Sequence, residues 1–169
     1  MKKILTALSL LAVSSTLSAA PVFMSTDWAK QACDGWNQSG PLSKGLAKDW
    51  IDNNADRGHK VIHIYRSDCA ESKPVELTIS KAEGMAKCTY GGAVVNEKLN
   101  PEVDYLMFAN DEDWVCMGAG KWGCGAMGAM MTGKLNFVGP KMEAMSVMGP
   151  FDSFLLLTGS LDTDRNSCP

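Results

Sequence analysis

Histidine is the side chain best suited to acid–base chemistry near neutral pH, and this chain has two, His59 and His63. They stand four apart in "HKVIHIY", an alternating β-branched stretch that predicts a strand. On a strand that spacing places both on one face about 13 Å apart, too far to share a metal ion. Both are expected at the surface or rim, with no evident nucleophile to activate. There is no G-x-S-x-G, and the glycines of "CMGAGKWGCGAMG" lack the Lys-Ser/Thr of a phosphate loop. Asp111, Glu112 and Asp113 cluster, but they open a predicted helix, where capping and the helix dipole account for acids. These patterns predict no enzyme, no metal site and no cofactor.

Methionine is the enriched type. Met142, Met145 and Met148 recur at i, i+3 and i+6 and so share one helical face, and Met127, Met130 and Met131 do the same on the helix before. Thioethers are soft ligands that could hold Cu(I). They also serve as adaptable core filler, or as the lining of a surface that conforms to apolar partners. Copper sites usually recruit His or Cys as well, so the apolar-ligand lining is the favoured reading. A methionine-rich copper-binding protein, or an accessory subunit that docks a partner enzyme, are the alternatives.

The elements that must position these side chains begin after an export signal. Lys2 and Lys3 precede an apolar run from Ile4 to about Val13, and Leu17-Ser18-Ala19-Ala20 supplies small residues for a cut. Residues 1–19 read as a secretory signal peptide, too short for an anchor, with cleavage after Ala19 because Pro21 disfavours the next bond. The expected location is periplasmic. Removing two lysines leaves 14 basic groups against 19 acids. That mildly acidic balance, with no basic stripe, argues against nucleic acid as a partner.

All six cysteines lie beyond the cut, an even count that predicts three disulfides in an oxidising compartment. Strand ends in a meander suggest Cys69 with Cys88, and Cys116 and Cys124 flank a glycine joint between two short helices. That leaves Cys33 with Cys168.

Residues 20–57 predict N-terminal helices packing on the domain. "STDWAKQACDGW" carries Trp28, Ala32 and Trp36 at helical spacing, and a second helix runs from about Leu42 to Asn53, closed near Gly58. Strands follow over 59–65, 74–80, 85–94 and 103–109, the first three joined by connections short enough to require antiparallel neighbours. Then come a helix capped at Asn110 or Asp111, a helix over about 122–131, and a strand over 133–139. A further helix starts at Pro140 and ends at Gly149-Pro150, and "FDSFLLLTGSL" is a last apolar segment. The reading is α+β, one sheet covered by helices.

From about Gly58 to Leu161 the chain resembles the sterol carrier protein type 2 family. "PVELTISKAEGMAKCTYGG" is similar to its strand pair, and "PEVDYLMFANDEDWVCMGAG" to its strand running into an acid-capped helix. "AMMTGKLNFVGPKMEAM" is similar to its closing signature, through Gly133-Lys134-Leu135 and Ala144-Met145. The resemblance implies a five-stranded antiparallel sheet covered by helices, with an apolar tunnel between the layers, over residues 58–165. It implies a carrier that binds fatty acids, acyl chains, sterols or isoprenoid-like molecules and does no chemistry. The implied lining is Met127, Met130, Met131, Phe137, Met142, Met145 and Met148, joined by Phe108, Trp114, Phe151, Phe154 and Leu155. The expected partner is an apolar small molecule bound by a monomer, with transient contact to a membrane or a partner protein.

Overall fold

A computed structural model describes residues 19–169; apart from Ala19, the predicted signal peptide lies outside the described residues. Ser25 caps α1 (Thr26–Gln38), its hydroxyl accepting the Trp28 N–H at 3.3 Å. One stripe of α1 (Trp28, Ala29, Ala32, Cys33 and Trp36) is buried, and side chains of the larger kind contribute about 1.5–3 kcal/mol each on leaving water. The predicted second helix is broken into α2 (Gly40–Ser43) and α3 (Asp49–Asp52), with the poor helix former Gly45 in the turn between them.

Alternation then produces β1 (His59–Arg66), β2 (Val75–Ala82) and β3 (Met85–Ala93), followed by β4 (Tyr105–Ala109) and, later, β5 (Asn136–Val138). The sheet order is β3-β2-β1-β4-β5. Three neighbouring pairs are antiparallel, but β1 and β4 run parallel, with Ile62 opposite Tyr105 and Ile64 opposite Met107. The all-antiparallel expectation is corrected at this central pair. After three strands in a meander, residues 94–104 carry the chain back along the sheet, so β4 starts from the same end as β1.

Ile62, Ile64, Val75, Leu77, Ile79, Tyr105 and Met107 share the sheet face that joins the hydrophobic core with α1. The helix α1 crosses β3 so closely that a Cβ on Gly91 would lie 2.3 Å from the Ala29 carbonyl oxygen. Asn110 caps α4 (Asp111–Gly118) by accepting the Asp113 N–H at 2.8 Å. After it come α5 (Ala126–Met131), α6 (Lys141–Ser146) and α7 (Met148–Ser160). Gly149-Pro150, expected to end a helix, instead lies in the first turn of α7, where proline's missing N–H has no intrahelical acceptor to lose. Helices α4 and α7 cross at Gly118 and Gly159, where a Cβ on Gly118 would sit 2.7 Å from the Gly159 Cα.

The six cysteines form three disulfides, which fit an oxidising environment: Cys33–Cys88, Cys69–Cys168 and Cys116–Cys124. Only the third pair is as expected. Cys69 with Cys88 fails because β2 separates β1 from β3, two inter-strand spacings or about 9.5 Å, beyond the reach of a disulfide. Cys88 instead points from β3 to the helix above it and bonds Cys33, leaving Cys69 after β1 for Cys168. Arg66 holds that C-terminal tail in place, donating to the carbonyls of Arg165 and Ser167 at 3.1 Å. Among the described residues no helix is long and apolar enough to cross a membrane.

Candidate functional site

The methionines converge at one end of the molecule because the chain reverses twice there. Helix α5 ends at Met131, Gly133 adopts a left-handed φ of 75° that only glycine takes without strain, β5 runs back along β4, and α6 follows. The result is an open groove of about 510 Å³ lined by Met127, Met130, Met131, Leu135, Phe137, Lys141, Met145 and Met148, with Gly133 and Asn136. That volume lies within the range of small-molecule sites. Its rim is exposed; Met131 is 78% accessible.

Between the sheet and the helices the side chains close to an apolar cavity of about 20 Å³, room for roughly one water. Phe151 and Phe154 line it with Trp36, Trp50, Tyr105 and Met107. The tunnel expected between the layers is therefore filled at its centre, and the larger space opens at the surface. Of the twelve lining residues predicted, six face the groove (Met127, Met130, Met131, Phe137, Met145, Met148) and two the cavity. Met142 is 79% exposed beside the groove, and Leu155 is buried in the core. Trp114 is buried under α4 and donates its Nε1–H to the Tyr65 carbonyl at 3.4 Å. Phe108 stands apart on the opposite face of the sheet, stacked on Tyr65 with centroids 4.8 Å apart. Strand alternation explains it: Met107 takes the core side, so Phe108 cannot.

Beneath α6 lies a polar cluster that the sequence pattern did not reveal. The Lys60 side chain, on β1, is wholly buried and donates to both Glu143 oxygens of α6 at 2.8 and 2.6 Å. Asn53 Nδ2 donates to the same carboxylate at 2.8 Å, and the Tyr105 hydroxyl donates to Glu143 Oε2. Trp50 Nε1 in turn donates to the Tyr105 oxygen at 2.7 Å. Burial pushes the Lys60 ammonium below its ordinary value, and burial followed by the Glu143 hydrogen bond pushes the Tyr105 phenol well above its own. The tyrosine thus stays a neutral donor. One signal was available: Lys60 stands in the alternating register of the core positions Ile62 and Ile64.

On the sheet's other face His63 is buried, not at the rim as expected, with Nε2 3.3 Å from Glu76 Oε2. Glu76 also accepts from Asn96 N, Asn96 Nδ2, Val95 N and Thr78 Oγ1 at 2.6–3.0 Å. His63, Glu71, Lys73 and Glu97 help line a wider depression of about 880 Å³ at that edge, whose charged walls suit an apolar molecule less well. Among the described residues no group of three or more His, Cys, Asp or Glu could hold a metal ion.

No protein-family model and no curated protein matches the chain. Several solved structures resemble it, among them the following two. The crystal structure of sterol carrier protein 2 aligns at 15% identity with a TM-score of 0.50, over 82% of this chain and 98% of the other. The solution structure of a conserved hypothetical protein from Thermus thermophilus, itself described as a candidate sterol carrier protein, aligns at 14% identity with a TM-score of 0.52. That alignment spans 87% of this chain and 96% of the other. The fold of this chain is therefore that of the sterol carrier protein 2 structures.

Proposed function

We propose that this chain is an exported binding or carrier protein for an apolar small molecule, such as a lipid, fatty acid, sterol or isoprenoid-like compound, and does no chemistry on it. The observation that carries this reading is the methionine groove. It is an apolar, partly exposed surface of ligand size, built of unbranched side chains that adapt to varied shapes. The shared fold supports it, since sterol carrier protein 2 is among the similar structures. Burying about 500 Å² of alkyl surface at about 25 cal/mol per Å² supplies about 12 kcal/mol, which is micromolar binding once about 4 kcal/mol of association cost is met. The six groove-lining residues named above are the proposed contacts, within a ligand-binding unit over residues 58–165. Three disulfides accord with a periplasmic setting, and the proposed working state is a monomer.

Native mass spectrometry of protein purified from its own host tests the reading. A co-purifying apolar mass supports the carrier. About 63 Da of bound copper per chain would replace it with metal binding by the same methionines. An empty protein that also ignores a fluorescent fatty-acid probe at micromolar concentration would sink it.

A further inference from the structure

The cluster beneath α6 has the form of a carboxylate cradle. Its donors come from three places in the fold: Lys60 Nζ on β1, the Tyr105 hydroxyl on β4, and Asn53 Nδ2 just beyond α3. A phenol has one proton to give. Because Trp50 Nε1 already donates to the Tyr105 oxygen, that proton is directed to the acceptor beyond. The Lys60 ammonium is further held 4.8 Å from the centre of the Trp50 ring and 5.3 Å from that of Tyr105. Lys60 and Tyr105 are fixed by the sheet and the core, while Asn53 is an exposed residue held at the C-terminal end of α3.

The acceptor is not fixed in the same way. Glu143 is carried by α6, a helix of six residues that buries only Ala144 and has no side-chain cap at its N-terminus. The same helix exposes Met142 and Met145, an apolar surface held in water. It also forms a wall of the groove, through Lys141 and Met145. Phe137 joins the two places: it lines the groove, and its ring meets that of Tyr105 at 5.3 Å.

Resting on the apolar-ligand reading above, we propose that the cradle of Lys60, Tyr105 and Asn53 receives the carboxylate of an amphiphile whose alkyl chain lies in the methionine groove. Glu143 is the resident carboxylate that the ligand displaces. A buried ammonium stripped of its counter-charge is strongly disfavoured, so α6 leaves its seat only when another anion arrives. Neutral amphiphiles cannot make that exchange and are confined to the outer groove. Glu143 thus keeps the cradle in working geometry while empty and makes opening selective for an acidic headgroup.

The test compares dodecanoate with dodecan-1-ol, at a pH where the acid is ionised, by isothermal titration on the wild-type chain, Glu143→Ala and Lys60→Met. The wild type should prefer the acid by about tenfold or more, the range of a hydrogen bond to a charged group. Vacating the cradle with Glu143→Ala should tighten dodecanoate by about a further tenfold and leave dodecan-1-ol unchanged. Lys60→Met should abolish the preference. Glu143→Gln keeps the side-chain shape and weakens the competitor, so it carries the Glu143→Ala test if that variant fails to fold, and Lys60→Gln likewise replaces Lys60→Met, with near-ultraviolet circular dichroism as the control. Equal binding of acid and alcohol by wild type and Glu143→Ala overturns the cradle and leaves the apolar groove standing. Binding of neither compound by any folded variant overturns both readings.

Discussion

The ring of Phe137 meets the ring of Phe151 edge-on, at 89° with centroids 6.1 Å apart, and so joins the wall of the surface groove to the wall of the inner cavity. If that contact is a true coupling, a double-mutant cycle with Phe137→Leu and Phe151→Leu should return about 0.5–1.5 kcal/mol in urea denaturation. Strict additivity would show the rings to be mere neighbours. Phe151→Ala alone should cost about 3–5 kcal/mol, since it enlarges an already imperfectly filled interior.

The exposed rim of the groove separates binding from folding. Met131→Asp changes a side chain that is mostly in water, so stability should stay within about 0.5 kcal/mol of wild type. Affinity for an alkyl probe should nevertheless fall by about tenfold, because a charge would have to be desolvated where apolar contact was made. A variant that loses its melting temperature but keeps its probe affinity would contradict the assignment.

The methionine spacing on α5 was legible because helical periodicity is local, whereas the expected Met142-Met145-Met148 face is divided between α6 and α7 and leaves Met142 outside the groove lining. The approach of α5 to α6 depends on an equally local feature, the Thr-Gly-Lys turn and the short β5 between them. Lys60 was detectable as a charge in a core register, yet its partner was not, since Glu143 is 83 residues away on a different layer. Phe108 entered the lining through the resemblance alone, and strand alternation puts it on the face opposite Met107. The disulfides failed for a different reason. The expected meander already put β2 between β1 and β3, too wide a gap for Cys69 to reach Cys88, but chain order does not say that α1 passes over Cys88.

The disulfides themselves should differ in worth. In the chain-entropy account a crosslink matters more as the loop it closes lengthens. Replacing Cys33 and Cys88 with serine, a separation of 55 residues, should cost about 4 kcal/mol. The pair Cys116 and Cys124, separated by 8, should cost about 2.5 kcal/mol. Equilibrium denaturation of the two double variants decides it, and the reverse order would mean that native-state packing around the bridges outweighs loop length.

Glu76 sets an acid limit. Burial by itself would raise its carboxyl, but the donors of Asn96, Thr78 and Val95 outweigh that and hold it below its ordinary 4.5. A carboxyl with a depressed folded value contributes stability that is complete above about 4.5 and is lost as the pH falls below it. Glu76→Gln should therefore be less stable at neutral pH, by roughly 1.5–3 kcal/mol for weakened charge-assisted bonds. Its denaturation midpoint should also vary less than the wild type's between neutral pH and strong acid. Two parallel curves would remove Glu76 from the account.

The parallel pairing of β1 with β4 has a kinetic consequence. The two hairpins β1–β2 and β2–β3 can close through local contacts, whereas aligning Ile62 with Tyr105 requires two distant parts of the chain to meet. Such non-local registration is slow, and it belongs to the later part of a folding reaction. The strand β5, which supplies one wall of the groove, hydrogen-bonds to the sheet only through β4. The groove is then among the last features to exist. A bound alkyl molecule should leave the refolding rate almost unchanged and slow unfolding instead, so that cargo acts on how long the native state lasts rather than on how quickly it is reached.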